Sequence, residues 1–567
     1  MTSLGRGQPH QFGGANEWPD ARLSLTVNSG ISGRAMRKTA VRAGGSVAAA
    51  LLLGFVGCSG EPPRTTEPSA SQIKSAAATP APAETSSAGL PDVPTTFSTV
   101  QRQPFAAPPE LTSENGLLET TFDVQPTTFD VAGAKVQGYA YQRQFIGPTL
   151  RVLPGDTLTV HLRNRLTEPT NLHSHGMFVS PVGISDNVLR VMKAGSDNDF
   201  VLHLPRDVEP GTYWYHTHLH GRVEEQVFAG LSGVLIVDGL QDRLPAQLQN
   251  VPDFVMALKD LQVKDGAIVR HNIDSNAPTT RTVNGQVDPV LTAQTNQTQL
   301  LRLANIGADI WYRLRLGGAQ FHVIAEDANP VAEVWTADEL VLPPGKRYDV
   351  LVRWPTSGTY ALETLPYNTG PDGDNYPQRR LASFQVTGDK IADVAWPTSL
   401  GPVSPLGSDH VDRTRQVVFS ENPKTNQFYI NGRQFDATHV TFVAKLGTTE
   451  EWVIKNTARE AHPFHIHVND FEVMAVNGKP YAAKSEQDVV PLPPRGEVRI
   501  RMHFNRFIGT YVFHCHILAH EDNGMMGIID ISRSGRLSKA TVKSLEEMNK
   551  AMPGQHSTGS HSGHTPR

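Results

Sequence analysis

Cysteine is almost missing from this sequence. Cys58 and Cys515 are the only two, and their contexts differ so much that a disulfide would tie an N-terminal leader to the far end of the fold. A disulfide scaffold is excluded, and each cysteine is read as having its own task. Charge of one sign is lacking too: a formal net charge of −5 and an isoelectric point near 6.5 leave no basic stripe, so no nucleic-acid partner is expected. The apolar run that stands out, within "MRKTAVRAGGSVAAALLLGFVGC" at residues 36–58, is about a dozen residues long. That falls short of the roughly 20 apolar residues of a membrane-spanning helix.

This run has a basic start and small residues before Cys58, the pattern of a bacterial secretory leader. Its closing cysteine resembles the lipobox of bacterial lipoproteins, which implies a lipid on Cys58 and attachment to a membrane. Phe55 stands where the lipobox usually has leucine, so cleavage with simple secretion is the alternative. The protein is expected to be exported, as an envelope lipoprotein or as a secreted or periplasmic protein. Residues 1–35 are polar and patternless, which makes Met36 the expected start. Residues 59–105, rich in Pro, Ala, Ser and Thr, read as an unstructured tether. The tail, residues 534–567, opens with a possible helix in "SKATVKSLEEMNKAM" and ends in a solvated, histidine-containing stretch.

With 41 Pro and 48 Gly, the sequence favours short strands joined by turns. Its main feature is an internal repeat. "NRLTEPTNLHSHG" from Asn164, "NIGADIWYRLRLG" from Asn305 and "NTAREAHPFHIHV" from Asn456 align without gaps. A second triple follows: "GTYWYHTHLHG" from Gly211, "GTYALETLPYN" from Gly358 and "GTYVFHCHILA" from Gly509. Where the outer copies carry histidine, the middle copy has Leu314, Leu316, Glu363 and Leu365. Segments such as "TLTVHLRN" alternate apolar with polar residues, the signature of strands. Three sandwiches of short strands are expected, at 106–240, 241–400 and 401–533, with the paired histidines, and any metal they bind, absent from the second.

Residues i and i+2 of a strand share a face. Four His-x-His pairs therefore present eight imidazoles: His173 with His175, His216 with His218, His465 with His467, and His514 with His516. If the outer repeats face each other, these can meet at one interface, in number enough for three metal ions. Imidazole alone does not select the metal, but Cys515, on the opposite face between His514 and His516, does. With His462 and His520 it completes a His₂Cys set, and Met525 is the candidate for the weak axial ligand of a blue-copper site. Met526 is expected to pack. Thr170, Thr217 and Arg222 hold the matching positions of the first repeat, so a single thiolate centre is expected. His220, His271, His322, His410, His439 and His503 are read as ordinary polar residues.

The motifs "HSHG", "WYHTH", "HPFHIH" and "HCHILAHEDNGMM" resemble, in order, the four copper signatures of the multicopper oxidases, laccase-like branch, over roughly residues 105–533. The resemblance implies an all-β fold of three cupredoxin-like Greek-key sandwiches, four copper ions and reduction of O₂ to water. It implies that His462, Cys515, His520 and Met525 hold a type 1 copper. His173 and His465 would hold a type 2 copper, and His175, His216, His218, His467, His514 and His516 the type 3 pair. By similarity to bacterial laccases, Glu521 and Asp186 are the expected proton-relay and hydrogen-bonding acids.

The electron donor stays open between phenols or aromatic amines and metal ions such as Cu(I). The 11 Met form no cluster of the kind that favours Cu(I), which tilts the reading toward organic donors. A copper-resistance metallo-oxidase and a non-catalytic copper-binding or storage protein of the envelope are the alternatives.

Overall fold

The strand Thr157–Asn164 shows how the sequence builds its elements. Leu158, Val160 and Leu162 are buried on one face while Thr157, Thr159 and His161 lie partly exposed on the other, as a half-buried strand requires. The computed structural model describes residues 102–551 except 132, 272, 402–405, 407–409 and 483. The leader with Cys58, the tether up to residue 101 and the histidine-containing end of the tail lie outside the described residues. No described helix is long and apolar enough to cross a membrane.

Three sandwiches follow one another, each made of one five-stranded and one six-stranded sheet. Each has its own hydrophobic core, centred on Phe122 and Leu235 in the first, Trp311 and Phe384 in the second, and Trp452 and Phe513 in the third. Every fully buried side chain of this size contributes about 1.5–3 kcal/mol, so each core can hold its own sandwich. The fold is thus the all-β, three-sandwich architecture expected.

The repeated motifs occupy equivalent strands. In the first sandwich His173–His175 pairs antiparallel with Gly211–His216, placing His173 opposite His216. In the third, His462–Ile466 pairs with Gly509–Cys515, placing His465 opposite His514. The middle copy differs: Leu314 lies opposite Thr364 rather than Glu363, one residue out of the register of the other two. A slip of one residue reverses the faces of a pairing. Without ligands to align, nothing holds the middle copy to the outer register.

Two boundaries differ from the sequence reading. Residues 102–105, assigned to the tether, are held against the middle sandwich, where the Phe105 amide donates to the Val290 carbonyl and Arg102 pairs with Asp288 at 2.6 Å. The hairpin of Val263–Lys264 and Ala267–Ile268, counted with the middle sandwich, extends a sheet of the first through Ala267 and Gln137. The tail begins with the expected helix, Lys539–Ala551, where Ser538 Oγ accepts the Thr541 amide. Its Leu545 packs with Val188 and Leu189 of the first repeat and with Val512 and Met526 of the third.

Candidate metal centre

All eight histidines of the His-x-His pairs are buried at the seam between the first and third sandwiches. The paired rings share a face but separate into groups. His218, His467 and His514 form one, His175, His216 and His516 a second, and His173 lies beside His465. In the first group the three Nε2 atoms lie 3.1, 3.2 and 3.3 Å apart. For a metal–nitrogen bond of about 2.0 Å, the edge between tetrahedral ligands is about 3.3 Å. In the second group His516 Nε2 lies 3.2 Å from His175 Nδ1.

The hydrogen bonds on the far side of each ring decide which nitrogen is offered. His216 and His514 each donate Nδ1–H to the carbonyl of the next residue, Thr217 and Cys515, at 2.7 and 2.9 Å. This leaves Nε2 with its lone pair turned inward. His173 Nδ1 contacts Asp186 at 2.9 Å, and His465 Nδ1 donates to the Asp488 carbonyl at 2.8 Å. The Nε2 atoms of His173, His216 and His465 are buried without a hydrogen-bond partner. Burial, and next the charge that neighbouring groups carry, holds His173, His175, His216, His465, His467 and His516 well below the ordinary histidine range. A crowd of neutral imidazoles with unpartnered lone pairs is a donor set that fits metal cations.

Cys515 turns the other way. Its Sγ lies 3.6 Å from His462 Nδ1 and 3.7 Å from His520 Nδ1, and those two nitrogens are 3.2 Å apart. Burial pushes the thiol well above its ordinary range, so a cation bound at the sulfur is what would hold it as thiolate. Met525 is fully buried in the core that contains Cys515; its carbonyl accepts the Cys515 amide at 3.0 Å and its own amide donates to the His520 carbonyl at 2.9 Å. Met526 packs in the separate cluster under the tail helix. In the first repeat, the Thr170 and Thr217 hydroxyls lie 3.1 Å apart and within reach of Gln226 Oε1 at 2.8 and 2.9 Å, so their two protons are shared among these three oxygens. Polar side chains fill the place that a thiolate site would need.

The two acids expected near the cluster are there. Asp186 is buried, accepts the Ser174 amide at 2.9 Å and faces His173; burial pushes its carboxyl up to about 7. Glu521 is fully buried with its oxygens 3.1 Å from His514 Nδ1 and 3.4 Å from His218 Nδ1. Burial would raise its carboxyl, but His218 and His514 hold it below the usual range. His220, read as an ordinary residue, is half-buried against Phe435 and belongs to no ligand group among the described residues.

Sequence reasoning missed three residues. Asp488 Oδ1 accepts from His175 Nε2 at 3.0 Å, and Arg347, from the middle sandwich, grips both carboxylate oxygens at 2.6 Å. Gly345, also from the middle sandwich, sits in the left-handed region, where a Cβ would come within 3.0 Å of His516 and 3.1 Å of His175. The repeat comparison carried a signal, since the turn "LPPGKRYDVLV" places Lys-Arg where the other copies have Asp-Thr and Gly-Glu. Outside the cluster, Glu421 lies 3.4 Å from His462 Nε2 and Glu460 3.8 Å from His520 Nε2.

Three family models described as multicopper oxidase match residues 123–242, 252–383 and 409–534, together about two thirds of the chain. The multicopper oxidase mco of Staphylococcus haemolyticus is 29% identical over 402 residues, covering 69% of this chain and 83% of that protein. The cell division protein FtsP of Escherichia coli is 27% identical over 399 residues, covering 67% and 81%. Among solved structures, a multicopper oxidase from Campylobacter jejuni described as a metallo-oxidase is 27% identical. It superposes with a TM-score of 0.68 over 76% of this chain and 95% of that one.

Proposed function

The chain belongs to the multicopper oxidase family of oxidoreductases, and from that premise we propose that it oxidises single-electron donors at a type 1 copper and passes the electrons to O₂ at a trinuclear copper cluster. The observation that carries this reading is the placement of Cys515: its sulfur faces His462 and His520, while the flanking His514 and His516 face two other imidazole groups. Copper bound there supplies one-electron oxidation at the thiolate and four-electron reduction of O₂ to two waters at the cluster.

In the proposed assignment four copper ions bind. His462, Cys515, His520 and Met525 hold the type 1 ion, His173 and His465 the type 2 ion, and His175, His216, His516, His218, His467 and His514 the type 3 pair. The peptide chain itself joins the sites, since only the backbone of Cys515 and its neighbours separates the sulfur from the two flanking rings. Burial of all eight cluster histidines excludes bulk water. Reduction of O₂ to water consumes four protons; Asp186, its carboxyl raised by burial, would hold a proton for this step, and Glu521, its carboxyl held down by His218 and His514, would accept and pass protons on.

Two donor classes fit. The lack of a Met-rich segment suits phenols and aromatic amines. Glu421 behind the His462 imidazole suits a cation such as Cu(I) or Fe(II), which agrees with the description of the C. jejuni structure as a metallo-oxidase. The likeness to FtsP, a cell division protein, sets a role other than oxidation beside this reading. The filled ligand groups of the outer repeats favour the oxidase. On the leader alone, we also propose export, with a lipid on Cys58 or release by cleavage.

The test is oxygen uptake by the copper-loaded protein, with a methoxyphenol in one cell, Cu(I) in another and Cys515→Ser as the blank. Uptake with the phenol that the substitution abolishes supports a laccase-type oxidase. Uptake with Cu(I) alone supports a metallo-oxidase in copper resistance. Bound copper without uptake from either donor would overturn the oxidase reading in favour of copper binding or storage.

A further inference from the structure

Arg347 belongs to the sandwich without copper ligands, yet it is completely buried where all three sandwiches meet. Its guanidinium donates to both oxygens of Asp488 in the third sandwich at 2.6 Å, to the Thr212 carbonyl of the first at 3.0 Å and to the Gly345 carbonyl of its own at 3.0 Å. Asp488 in turn touches two candidate ligands. Its carboxylate accepts His175 Nε2–H at 3.0 Å and its backbone carbonyl accepts His465 Nδ1–H at 2.8 Å. The two bonds act in opposite senses: His175 is left to offer Nδ1, and His465 is left to offer Nε2.

The surroundings hold this arrangement in place. Asp327 accepts the backbone amides of Arg347, Asp488 and Val489 at 3.0, 3.2 and 3.1 Å, and Lys346 bridges Asp327 to Gln487 at 2.9 and 2.7 Å. Gly176, directly after the first His-x-His pair, has φ +80°, and a Cβ there would collide with Asp488 Oδ2 and Arg347 Nη2. The first repeat leaves room for the pair.

We infer that Arg347 is a positioning residue for the trinuclear site, acting through Asp488 to fix which ring nitrogen His175 and His465 present to copper. The inference rests on the proposed assignment of those two histidines as ligands. It gives the middle sandwich a role in the site: it braces, from outside, rings that the outer sandwiches supply. The planar guanidinium fork is essential to this, because it fixes both carboxylate oxygens at once, whereas an ammonium acts as a point charge. Without the fork, a buried carboxylate is left uncompensated and is driven to reorient.

The experiment compares copper-loaded wild type with Arg347→Lys, Arg347→Gln and Asp488→Asn. It measures copper retained per chain under chelator challenge, the type 2 electron paramagnetic resonance signal, the blue thiolate-to-copper band and the unfolding temperature of the copper-free form. Arg347→Lys and Asp488→Asn are expected to keep the blue band; breaking a buried charge pair also lowers the copper-free unfolding temperature, so retention is compared at a temperature where every variant is folded. They should release cluster copper about 10- to 100-fold more readily, with an altered type 2 signal. Unchanged retention and signal in both would overturn the inference. So would loss of the blue band in parallel with the cluster signals, since that would make the pair a general interface bond. Arg347→Gln removes the charge as well, and is expected to release cluster copper at least as readily as Arg347→Lys. Should wild type bind copper yet consume no oxygen with any donor, the oxidase reading falls, while the retention comparison still decides the role of Arg347.

Discussion

His175 and His465 lie ring on ring, their centroids 3.9 Å apart and their planes 12° from parallel, although one belongs to the first sandwich and the other to the third. A second stack, His173 on His467 at 4.0 Å and 9°, repeats the arrangement. The seam between the outer sandwiches is therefore made partly of the rings proposed to bind copper.

Copper should consequently hold the outer sandwiches together. Any ligand that binds only the folded seam adds about 4 kcal/mol per site at a thousandfold excess over its dissociation constant. Calorimetry of copper-free and copper-loaded protein is expected to show the transition of the outer sandwiches rising on loading, with the middle sandwich responding less. Superimposable traces would count against metal at the seam.

Gly345→Ala tests the close approach of the middle sandwich. The new methyl group meets His516 and His175 on a backbone with φ +85°, a conformation that costs a non-glycine residue about 1–3 kcal/mol. The expected result is a folded protein with its blue band intact and its type 3 copper depleted, read by metal analysis and absorption. Full copper content would mean that the turn yields easily.

Glu521→Gln separates electron uptake from oxygen chemistry. A positioned proton donor contributes about 10²–10⁴-fold, so oxygen uptake should fall by about 100-fold or more. Donor should still bleach the blue band without oxygen at the wild-type rate. If bleaching slows in step with uptake, Glu521 is acting on the type 1 site instead.

Asp186→Asn keeps the shape of the acceptor for the Ser174 amide but removes the carboxylate facing His173. Turnover is expected to fall about 10- to 100-fold through the type 2 site, with a changed type 2 resonance signal and an unchanged blue band. An unaltered type 2 signal would separate Asp186 from His173.

Glu421→Gln addresses the donor, with Glu460→Gln as the comparison, since burial and the nearby Asp374 push the Glu460 carboxyl well above its ordinary range. For an ionised carboxylate and a cation, an assumed separation of about 6 Å corresponds to about 0.7 kcal/mol at a dielectric constant of 80 and about 3 kcal/mol at 20, a factor of about 3 to 100. KM for Cu(I) or Fe(II) should rise within that range while KM for a neutral phenol stays level. Equal effects on both donors would show that these acids act by supporting His462 and His520.

The ligand columns were legible in the sequence because duplication wrote them twice and strand periodicity fixed their face. His173 opposite His216 and His465 opposite His514 follow from a spacing counted from Asn164, Gly211, Asn456 and Gly509. Cys515 declared its separate direction by standing between two i, i+2 partners. Arg347, Gly345 and Asp488 were not legible in the same way, since their task depends on contacts between sandwiches, and the Lys-Arg at the middle repeat's turn marks a difference without saying what it touches. The middle copy looked empty because only histidine was sought there. Its slipped register, Leu314 opposite Thr364, also lay beyond what the repeat could foretell, because alignment compares residues along the chain and says nothing of pairing across a sheet.

The backbone bond between the Cys515 amide and the Met525 carbonyl, with the Met525 amide tied to the His520 carbonyl, locks three of the proposed type 1 ligands to one another through peptide groups. A metal held there would meet ligands whose backbone is already fixed, so loading it would cost the chain little further ordering.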